Sequence, residues 1–250
     1  MDAGEAVAIF AAGGAAGTIN TVVGSGTLIT FPVLLAFGYD PVTANVSNTI
    51  GLVPGSISGA YGYRAELEGQ RRRVLRLGIP SLVGGVVGAV LLLVLPASAF
   101  KSIVPAFIAA ALVLVLAQPW LTRRLAGRHD HPLHARGVLP LTLFTIGVYG
   151  GYFGAAQGIL LLAVLGLSLS DSLQRINAIK NILAALTNAI AGIVFVLAAS
   201  HVSWGVAGLL AAGSTLGGQL GARVGRRLPP PVLRGVIVAV GVAAILKLVL

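Results

Sequence analysis

Two apolar segments, one in each half of the chain, are interrupted by residues of a type that could bind an anion. The first interruption is Gly24-Ser25-Gly26-Thr27, and the second runs from Gly154 to Gly158. Glycine lets a helix break and lets a ligand approach the backbone closely. The half-helix after a break exposes unpaired N–H groups and the positive end of its dipole. In a membrane protein, paired breaks of this kind indicate an anion-binding site. Close helix packing through these small residues is the alternative.

Polar side chains that can donate hydrogen bonds to an oxyanion are concentrated beside both interruptions. Lys180 is the strongest single candidate, because an ionisable residue within a span is a functional hypothesis by default. Snorkelling of its ammonium group to the interface is the alternative. For the other side chains, helix capping or hydrogen bonding between helices is the alternative. The predicted binding residues are Gly24, Ser25, Gly26, Thr27, Asn45, Ser47, Asn48, Gln157, Gly158, Asn177, Lys180 and Asn181, with Asn20 and Asn188 nearby.

The composition indicates that these segments lie in a membrane. Hydrophobic residues make up 56% of the 250 residues and charged residues 10%, whereas a soluble domain has roughly 25% charged residues. A stretch of about 20 apolar residues is long enough to cross a bilayer. Uninterrupted stretches of suitable length are 77–95, 102–121, 182–199, 204–220 and 233–250.

The net charge of +10 is interpreted as a topology signal, because the basic residues fall in short loops between spans. Arginine-rich loops within 64–76, 123–136 and 223–234 are predicted to be cytoplasmic. The stretches 4–38 and 137–170 must then each start and end on one face of the membrane. If each were a single tilted span instead, the last arginine loop would lie outside. Both are therefore predicted to be re-entrant hairpins.

The predicted fold is an all-α integral membrane protein built from an inverted repeat. Each half consists of a broken helical hairpin and three transmembrane helices, an odd number of net crossings, so the two halves have opposite orientation. The first repeat is assigned to residues 1–125 and the second to residues 137–250, with a cytoplasmic linker at 126–136. The protein is predicted to be multi-pass in the plasma membrane, with both termini extracytoplasmic.

The order of local features supports the duplication. In the first half Gly26 opens an apolar run that ends in a turn before the next span, and Gly158 opens the corresponding run in the second half. This alignment places Val164 opposite Pro32. The glycines Gly150, Gly151, Gly154 and Gly158 are all expected at the second break. Other glycines are expected to permit close helix packing, namely Gly84, Gly85, Gly88, Gly217, Gly218 and Gly221.

Some residue types are absent from the sequence or from its predicted spans, and their absence argues against several classes of protein. All seven acidic residues fall in predicted loops or at their edges, so the sequence offers no buried carboxylate for cation transport. The absence of cysteine excludes thiol chemistry, and no nucleotide-binding motif is recognisable. An intramembrane serine protease would pair Ser25 with the loop residue His201, which is a poor match. No enzyme activity and no cofactor are expected, and a metal site at His129, His131 and His134 is a minor alternative.

A longer pattern around the first interruption is similar to a known family. The matching residues are Gly24-Ser25-Gly26-Thr27-Leu28-Ile29-Thr30-Phe31-Pro32, Gly38, Pro41 and 44–47. The pattern resembles the TauE/SafE family of sulfite exporters, also called the 4-toluene sulfonate uptake permease family, and the resemblance extends over almost the whole chain. It implies a duplicated membrane protein that handles sulfite, sulfonates or other small organic or sulfur-containing anions. Ser25 and Thr27 depart from the family's usual glycine run.

Together these observations predict a secondary transporter that exports small sulfur-containing anions, sulfite and sulfonates such as sulfoacetate. The alternatives are an anion channel and a transporter for another small organic anion, such as a carboxylate. Outward movement of one negative charge is favoured by about 2.3 kcal/mol per 100 mV across an inside-negative membrane. The expected partners are the anionic substrate and the lipid bilayer but no nucleic acid, and a homo-oligomer is left open.

Overall fold

The computed structural model describes residues 1–126 and 138–224, together with positions 235, 237–239 and 242. Regular structure in these residues is entirely helical, which confirms the predicted all-α class. The predicted span 233–250 apart from those few positions, the linker 126–136 beyond its first residue, and the third arginine loop beyond Arg223 lie outside the described residues. The three histidines of the linker lie outside them as well.

The helices follow the order expected from the apolar segments. The first half contains α1 Ala3–Val22, α2 Thr27–Ala36, α3 Pro41–Gly62, α4 Arg71–Val94 and α5 Ala97–Ala126, with a short 3₁₀ helix at Arg64–Leu67. The second half contains α6 Val138–Tyr152, α7 Gln157–Ser168, α8 Leu173–Ala198 and α9 Trp204–Val224. Among these helices, α4, α5 and α8 are long and apolar enough to cross a membrane. They correspond to the predicted spans 77–95, 102–121 and 182–199.

The two predicted helix breaks separate α1 from α2 and α6 from α7. Each break begins with the same cap. Gly24 has a φ of 88° and its N–H donates to the Ile19 carbonyl at 3.0 Å, while Gly154 has a φ of 75° and its N–H donates to the Tyr149 carbonyl at 3.0 Å. Glycine adopts this left-handed conformation without a steric penalty and commonly ends helices. The same residue type therefore ends the first helix of both hairpins.

The structure corrects the expected contents of the second break. Gly150 and Gly151 lie in α6 and Gly158 lies in α7, so of the four glycines only Gly154 is in the break itself. A Cβ on Gly151 would clash with the Gly85 carbonyl of α4. Gly150 and Gly151 are therefore needed for close packing rather than for the interruption.

The alignment of the two hairpins is also corrected. Gly26 directly precedes α2, and the residue that directly precedes α7 is Ala156 rather than Gly158. Counted from the start of each helix, Pro32 therefore corresponds to Leu162 and not to Val164. The sequence alignment was wrong because glycine is so common in the chain that a matching Gly is a weak marker of register.

The broken hairpins pack against helices of the opposite half. Helix α1 lies on α9, and α6 lies on α4. Glycines make these contacts close: a Cβ on Gly217 would clash with the Gly14 carbonyl, and a Cβ on Gly88 would clash with the Val148 carbonyl. All six glycines expected to permit packing meet a neighbouring helix in this way, which confirms that prediction. Helices α3 and α8 contact each other. Helix α3 also contacts α1, α2 and α9, and α8 also contacts α4, α6 and α7.

At one end of the helix bundle, polar contacts join the segments that connect the helices. Lys101 Nζ lies 2.9 Å from Asp40 Oδ2, which joins the start of α5 to the start of α3. The hydroxyl of Tyr39 donates to Glu5 Oε1 at 2.7 Å. Because Tyr39 follows α2 and Glu5 begins α1, the first hairpin returns to the end at which it started.

The opposite end of the bundle is joined by a second group of charged residues. Arg73 at the start of α4 pairs with Asp171 in the connection between α7 and α8. Arg175 Nε lies 3.4 Å from Asp171 Oδ1. Leu139 at the start of α6 belongs to the same apolar cluster as Leu165 near the end of α7. The second hairpin therefore starts and ends at this end.

Candidate functional site

The two helix breaks meet each other directly inside the protein. The N–H of Gly158 donates to the carbonyl oxygen of Gly24 at 3.0 Å. A Cβ on either glycine would clash with the Cα of the other. Because α2 starts at Thr27 and α7 at Gln157, the first turns of both half-helices begin beside this contact. The segments singled out in each half thus form one place in the fold.

Hydrogen-bond donors at this junction have no acceptors among the described residues. The backbone N–H groups of 25–27 and 155–156 are in this position. The side-chain atoms Ser25 Oγ and Gln157 Nε2 are also buried without a partner. Buried polar groups in native proteins are nearly always hydrogen-bonded, so these atoms indicate a ligand or ordered water. The helix dipoles make the same place favourable for negative charge.

Lys180 lies at the other side of the first break, at the carboxyl end of α1. Its side chain is fully buried, with 0% exposed, and its Nζ donates to the carbonyl oxygens of Asn20 and Thr21, each at 3.2 Å. The ammonium therefore does not snorkel to the interface. Two of its three protons are used in these hydrogen bonds. Lys180 has no ion-pair partner among the described residues.

Amide side chains cap the carboxyl ends of both broken helices from the opposite half. Asn177 and Asn181 of α8 donate to the Thr21 carbonyl of α1 at 3.5 and 3.2 Å. Asn45 of α3 donates to the Tyr152 carbonyl of α6 at 2.9 Å. Asn45 and Asn177 are each the fifth residue of their helix. The starts of α3 and α8 are instead capped by Asp40 and Ser172, so Asn45 and Asn177 do not cap their own helices. They form hydrogen bonds between helices that hold the ends of the breaks in place.

The remaining predicted residues divide between the junction and other places. Asn48 accepts a hydrogen bond from Thr30 and donates to Thr27 Oγ1 at 3.5 Å, so it packs on the first turn of α2. Ser47 is placed away from the breaks, because its Oγ accepts the N–H of Ser203 at 2.9 Å in the connection before α9. Residues Gly24, Ser25, Gly26, Thr27, Asn45, Asn48, Gln157, Gly158, Asn177, Lys180 and Asn181 are brought together around the two breaks.

Ser56 is a polar residue near the site that the sequence reasoning missed. Its Oγ accepts hydrogen bonds from Asn20 Nδ2 at 3.4 Å and from Asn188 Nδ2 at 3.1 Å. Ser56 and Asn188 are each the sixteenth residue of their helix, so equivalent positions of α3 and α8 meet. Ser56 lies roughly three turns after Asn45 on the same face of α3, and this shared face is the signal that could have found it, although Gly51 and Leu52 interrupt the polar positions between them. Tyr152, whose buried hydroxyl has no partner among the described residues, had no such signal.

The end of the bundle near Asp40 contains an open cleft of about 240 Å³, whose lining includes Asp40, Thr43, Leu92 and His201. Burial alone would raise the pKa of Asp40, but the hydrogen bond and charge of Lys101 and the nearby amides hold it below its usual value. Burial raises the pKa of the Tyr39 hydroxyl, and its contact with Glu5 raises it further. This cleft is separate from the junction of the breaks.

Other kinds of site are not supported by the geometry. Within residues 1–126 and 138–224, no three His, Asp or Glu side chains lie close enough together to hold a metal ion. Ser25 Oγ has no hydrogen-bond partner in the same part of the chain, so no base is positioned to activate it as a nucleophile. The arrangement is a cluster of hydrogen-bond donors that have no acceptors in the described part of the chain.

A known protein family matches nearly the whole chain. The sequence matches the family model described as Sulfite exporter TauE/SafE over residues 9–248. The chain belongs to the TauE/SafE family. The family resemblance inferred from the first interruption is confirmed.

Curated relatives of this TauE/SafE protein bear transporter names. It is 27% identical over 237 residues to the probable membrane transporter protein YfcA of Escherichia coli strain K12, covering 93% of this chain and 85% of the relative. It is 27% identical over 241 residues to the probable membrane transporter protein ORF9 of Sinorhizobium sp, covering 96% and 90%. A probable membrane transporter protein of Haemophilus influenzae is 26% identical over 218 residues, covering 86% and 83%. No solved structure matches. The TauE/SafE protein is therefore a multi-pass membrane transporter.

Proposed function

We propose that this TauE/SafE transporter exports small sulfur-containing anions, sulfite and sulfonates such as sulfoacetate, across the plasma membrane. The observation that carries the proposal is the contact of Gly24 with Gly158, which places the amino ends of two half-helices beside each other. The description of the family as sulfite exporters supports this class of substrate. The anion is proposed to bind at the junction, where it completes the hydrogen bonds of the free donors.

The charge balance of the interior favours a negatively charged ligand. Lys180 is buried without an ion-pair partner in the described part of the chain, and the buried polar side chains there include no carboxylate. A buried charge is costly unless it is paired. An anion at the neighbouring junction supplies negative charge in a place of low dielectric, where the attraction is stronger than in water. A carboxylate or sulfonate group could both be attracted in this way, so the substrate must be identified by competition.

The roles proposed for the predicted residues follow from their contacts. Ser25, Thr27 and Gln157 are proposed to donate to the anion, together with the amides of 25–27 and 155–156. Lys180 supplies positive charge. Asn48 fixes the first turn of α2, while the amide caps hold the carboxyl ends of α1 and α6. Ser47 is not part of the proposed site.

We further infer that the two halves, 1–125 and 137–250, form the inverted repeat expected from the sequence. The first hairpin begins and ends at the Asp40–Lys101 end, and the second begins and ends at the Arg73–Asp171 end. The exchange of packing partners between the halves supports the same relationship. The arginine-rich end is proposed to face the cytoplasm by the positive-inside rule, which places the amino terminus outside.

The proposal is tested by sulfite flux in liposomes that contain the purified protein. A carrier is expected to saturate with sulfite and to be accelerated by sulfite on the opposite side. Efflux is expected to increase with an inside-negative voltage, because outward movement of the anion is then favoured. Sulfoacetate should compete, and acetate should compete more weakly. Flux that does not saturate would instead identify a channel, and stronger competition by acetate would identify a carboxylate transporter.

Two variants locate the binding site in this assay. Gln157→Glu is nearly isosteric but places a negative charge at the junction, so the KM for sulfite is expected to rise at least about tenfold. Ser25→Ala removes one donor and should raise the KM by a smaller factor. The matched control is Ser102→Ala, since Ser102 is exposed on α5 and bonds only the Ser98 carbonyl. An unchanged KM in Gln157→Glu would contradict the proposed site.

A further inference from the structure

The two helix breaks differ in the groups that satisfy the carboxyl end of the first helix. At the end of α1, the carbonyls of Asn20 and Thr21 both accept from the Lys180 ammonium. The residues at the same distance from the end of α6 are Gly150 and Gly151. Among the described residues, no group outside α6 donates a hydrogen bond to the carbonyl oxygen of either glycine. The first break is thus capped by a positive charge, and the second is not.

In α3 the position equivalent to Lys180 is occupied by Asn48, which carries no charge and bonds a different helix. Asn48 is the eighth residue of α3, as Lys180 is the eighth residue of α8. Its amide bonds Thr27 and Thr30 at the start of α2 instead of the end of α6. The duplicated architecture therefore repeats the carbonyl oxygens of the helix end but does not repeat the ammonium that neutralises them.

A further oxygen at the end of α6 has no donor. Asn45 is fully buried and its Nδ2 is held on the Tyr152 carbonyl, while its Oδ1 has no partner in the described part of the chain. The Oδ1 of Asn177 at the end of α1 has no partner there either, so the two ends differ in the Lys180 ammonium and not in this oxygen. The Asn45 side chain caps the end of α6 that carries the Gly150 and Gly151 carbonyls, where the helix dipole is negative. Buried oxygen acceptors without donors are the ligands that a hard cation prefers.

We propose that this end of α6 binds a sodium ion in the place that corresponds to the Lys180 ammonium. Carboxyl ends of broken helices and amide oxygens coordinate Na⁺ in membrane transporters. The oxygens are all neutral, which suits a monovalent ion better than a divalent one. The bound ion satisfies these oxygens and adds a second positive charge beside the junction of the breaks. The site goes beyond the proposed function, because it does not depend on which anion is transported.

The experiment measures the thermal unfolding of the purified full-length protein in detergent as NaCl replaces choline chloride at constant ionic strength. The melting temperature is expected to rise with Na⁺ and to reach a plateau, because an ion that binds the folded state stabilises it. In Asn45→Leu this rise is expected to disappear. Asn45→Asp puts a negative charge on the same oxygen but replaces the Nδ2 donor to the Tyr152 carbonyl by an oxygen. Its melting temperature without Na⁺ is therefore expected to be lower than that of the natural protein, and half-saturation is expected at a concentration lower by about tenfold.

The equivalent position of the other half provides the matched control. Asn177→Leu removes the corresponding amide at the end of α1, where Lys180 already supplies the charge, and should keep the Na⁺-dependent rise. Lys180→Ala should respond more strongly to Na⁺ than the natural protein, because it frees the carbonyls of Asn20 and Thr21. Equal melting temperatures in NaCl and choline chloride would overturn the proposal and indicate that water fills the site.

The melting experiments distinguish a failure of the sodium-site proposal from a failure of the proposed anion transport. An Na⁺ response that persists unchanged in both Asn45→Leu and Asn45→Asp would also overturn the site. The same melting measurement with sodium-free sulfite in choline reports anion binding alone. A loss of the sulfite effect with a retained Na⁺ effect would count against the proposed function, whereas the reverse result would count against the sodium site.

Discussion

The N–H of Gly158 donates a hydrogen bond of 3.0 Å to the carbonyl oxygen of Gly24, which joins the break of one hairpin to the break of the other. The contact leaves no room for a side chain on either residue. It also brings the first turns of α2 and α7 together, so that donors from both halves face one place. The position of the proposed anion site depends on this single approach of two backbones.

Three alanine substitutions should separate backbone conformation from packing at this contact. Gly38→Ala tests conformation alone, because Gly38 has a φ of 86° and no atom near its Cβ position, and it should cost about 1–2 kcal/mol. Gly158→Ala tests packing alone and should cost about 1–3 kcal/mol. Gly24→Ala combines both effects and should be the least stable. Thermal unfolding of the purified variants provides the measurement.

The order of the three stabilities is the decisive result. If Gly24→Ala were no less stable than Gly38→Ala, the two breaks would not be in contact. Sulfite flux should also fall more in Gly24→Ala and Gly158→Ala than in Gly38→Ala, since only the first two displace the junction.

Lys180→Ala is expected to reduce sulfite flux by at least about tenfold while the protein still inserts into the membrane. The substitution removes the buried positive charge and leaves the carbonyls of Asn20 and Thr21 without their donor. Flux per inserted molecule in liposomes is the quantity to compare. Lys101→Ala is the control, because Lys101 pairs with Asp40 near the surface and should change flux by less than about twofold. Equal losses in both variants would rule out a special role for Lys180.

Asp40 is expected to make the protein less stable in acid. Its folded-state pKa is lowered, so its contribution to stability is present above the unfolded pKa, near 3.8, and is lost as the pH falls through the lower folded value. The effect should be small, because both side chains of the Asp40–Lys101 pair are about half exposed. Melting temperatures between about pH 5 and pH 2 should fall less steeply in Asp40→Asn than in the natural protein. A steeper fall in the variant would contradict the assignment.

The orientation of the hairpins can be tested by labelling, since the chain has no cysteine. Ser98→Cys lies at the Asp40–Lys101 end and Ser170→Cys at the Arg73–Asp171 end, and both positions are exposed. An impermeant thiol reagent added outside intact cells should label Ser98→Cys only. Permeabilised cells should show labelling of both variants. External labelling of Ser170→Cys alone would contradict the proposed orientation, and external labelling of both variants in intact cells would contradict the inverted repeat.

Local chemistry accounts for the parts of the fold that were predicted correctly. The apolar stretches are longer than any soluble core requires, so they indicate spanning helices without knowledge of their neighbours. Gly24 and Gly154 mark the ends of α1 and α6, because a left-handed cap depends on the residue itself. The polar character of α3 and α8 near Asn45 and Lys180 is likewise visible in the chain. These features each depend on a few consecutive residues.

Long-range packing accounts for the remainder. The local sequence pattern does not predict the contact of Gly24 with Gly158. It does not predict that Lys180 caps α1 instead of reaching the interface, or that Ser47 bonds the connection before α9. These outcomes depend on which faces of distant helices meet, and an abundance of glycine makes several registers equally compatible with the sequence. The sequence therefore defined a membrane protein with two broken hairpins, while the packing of its two halves brought the breaks into contact, where the anion site is proposed.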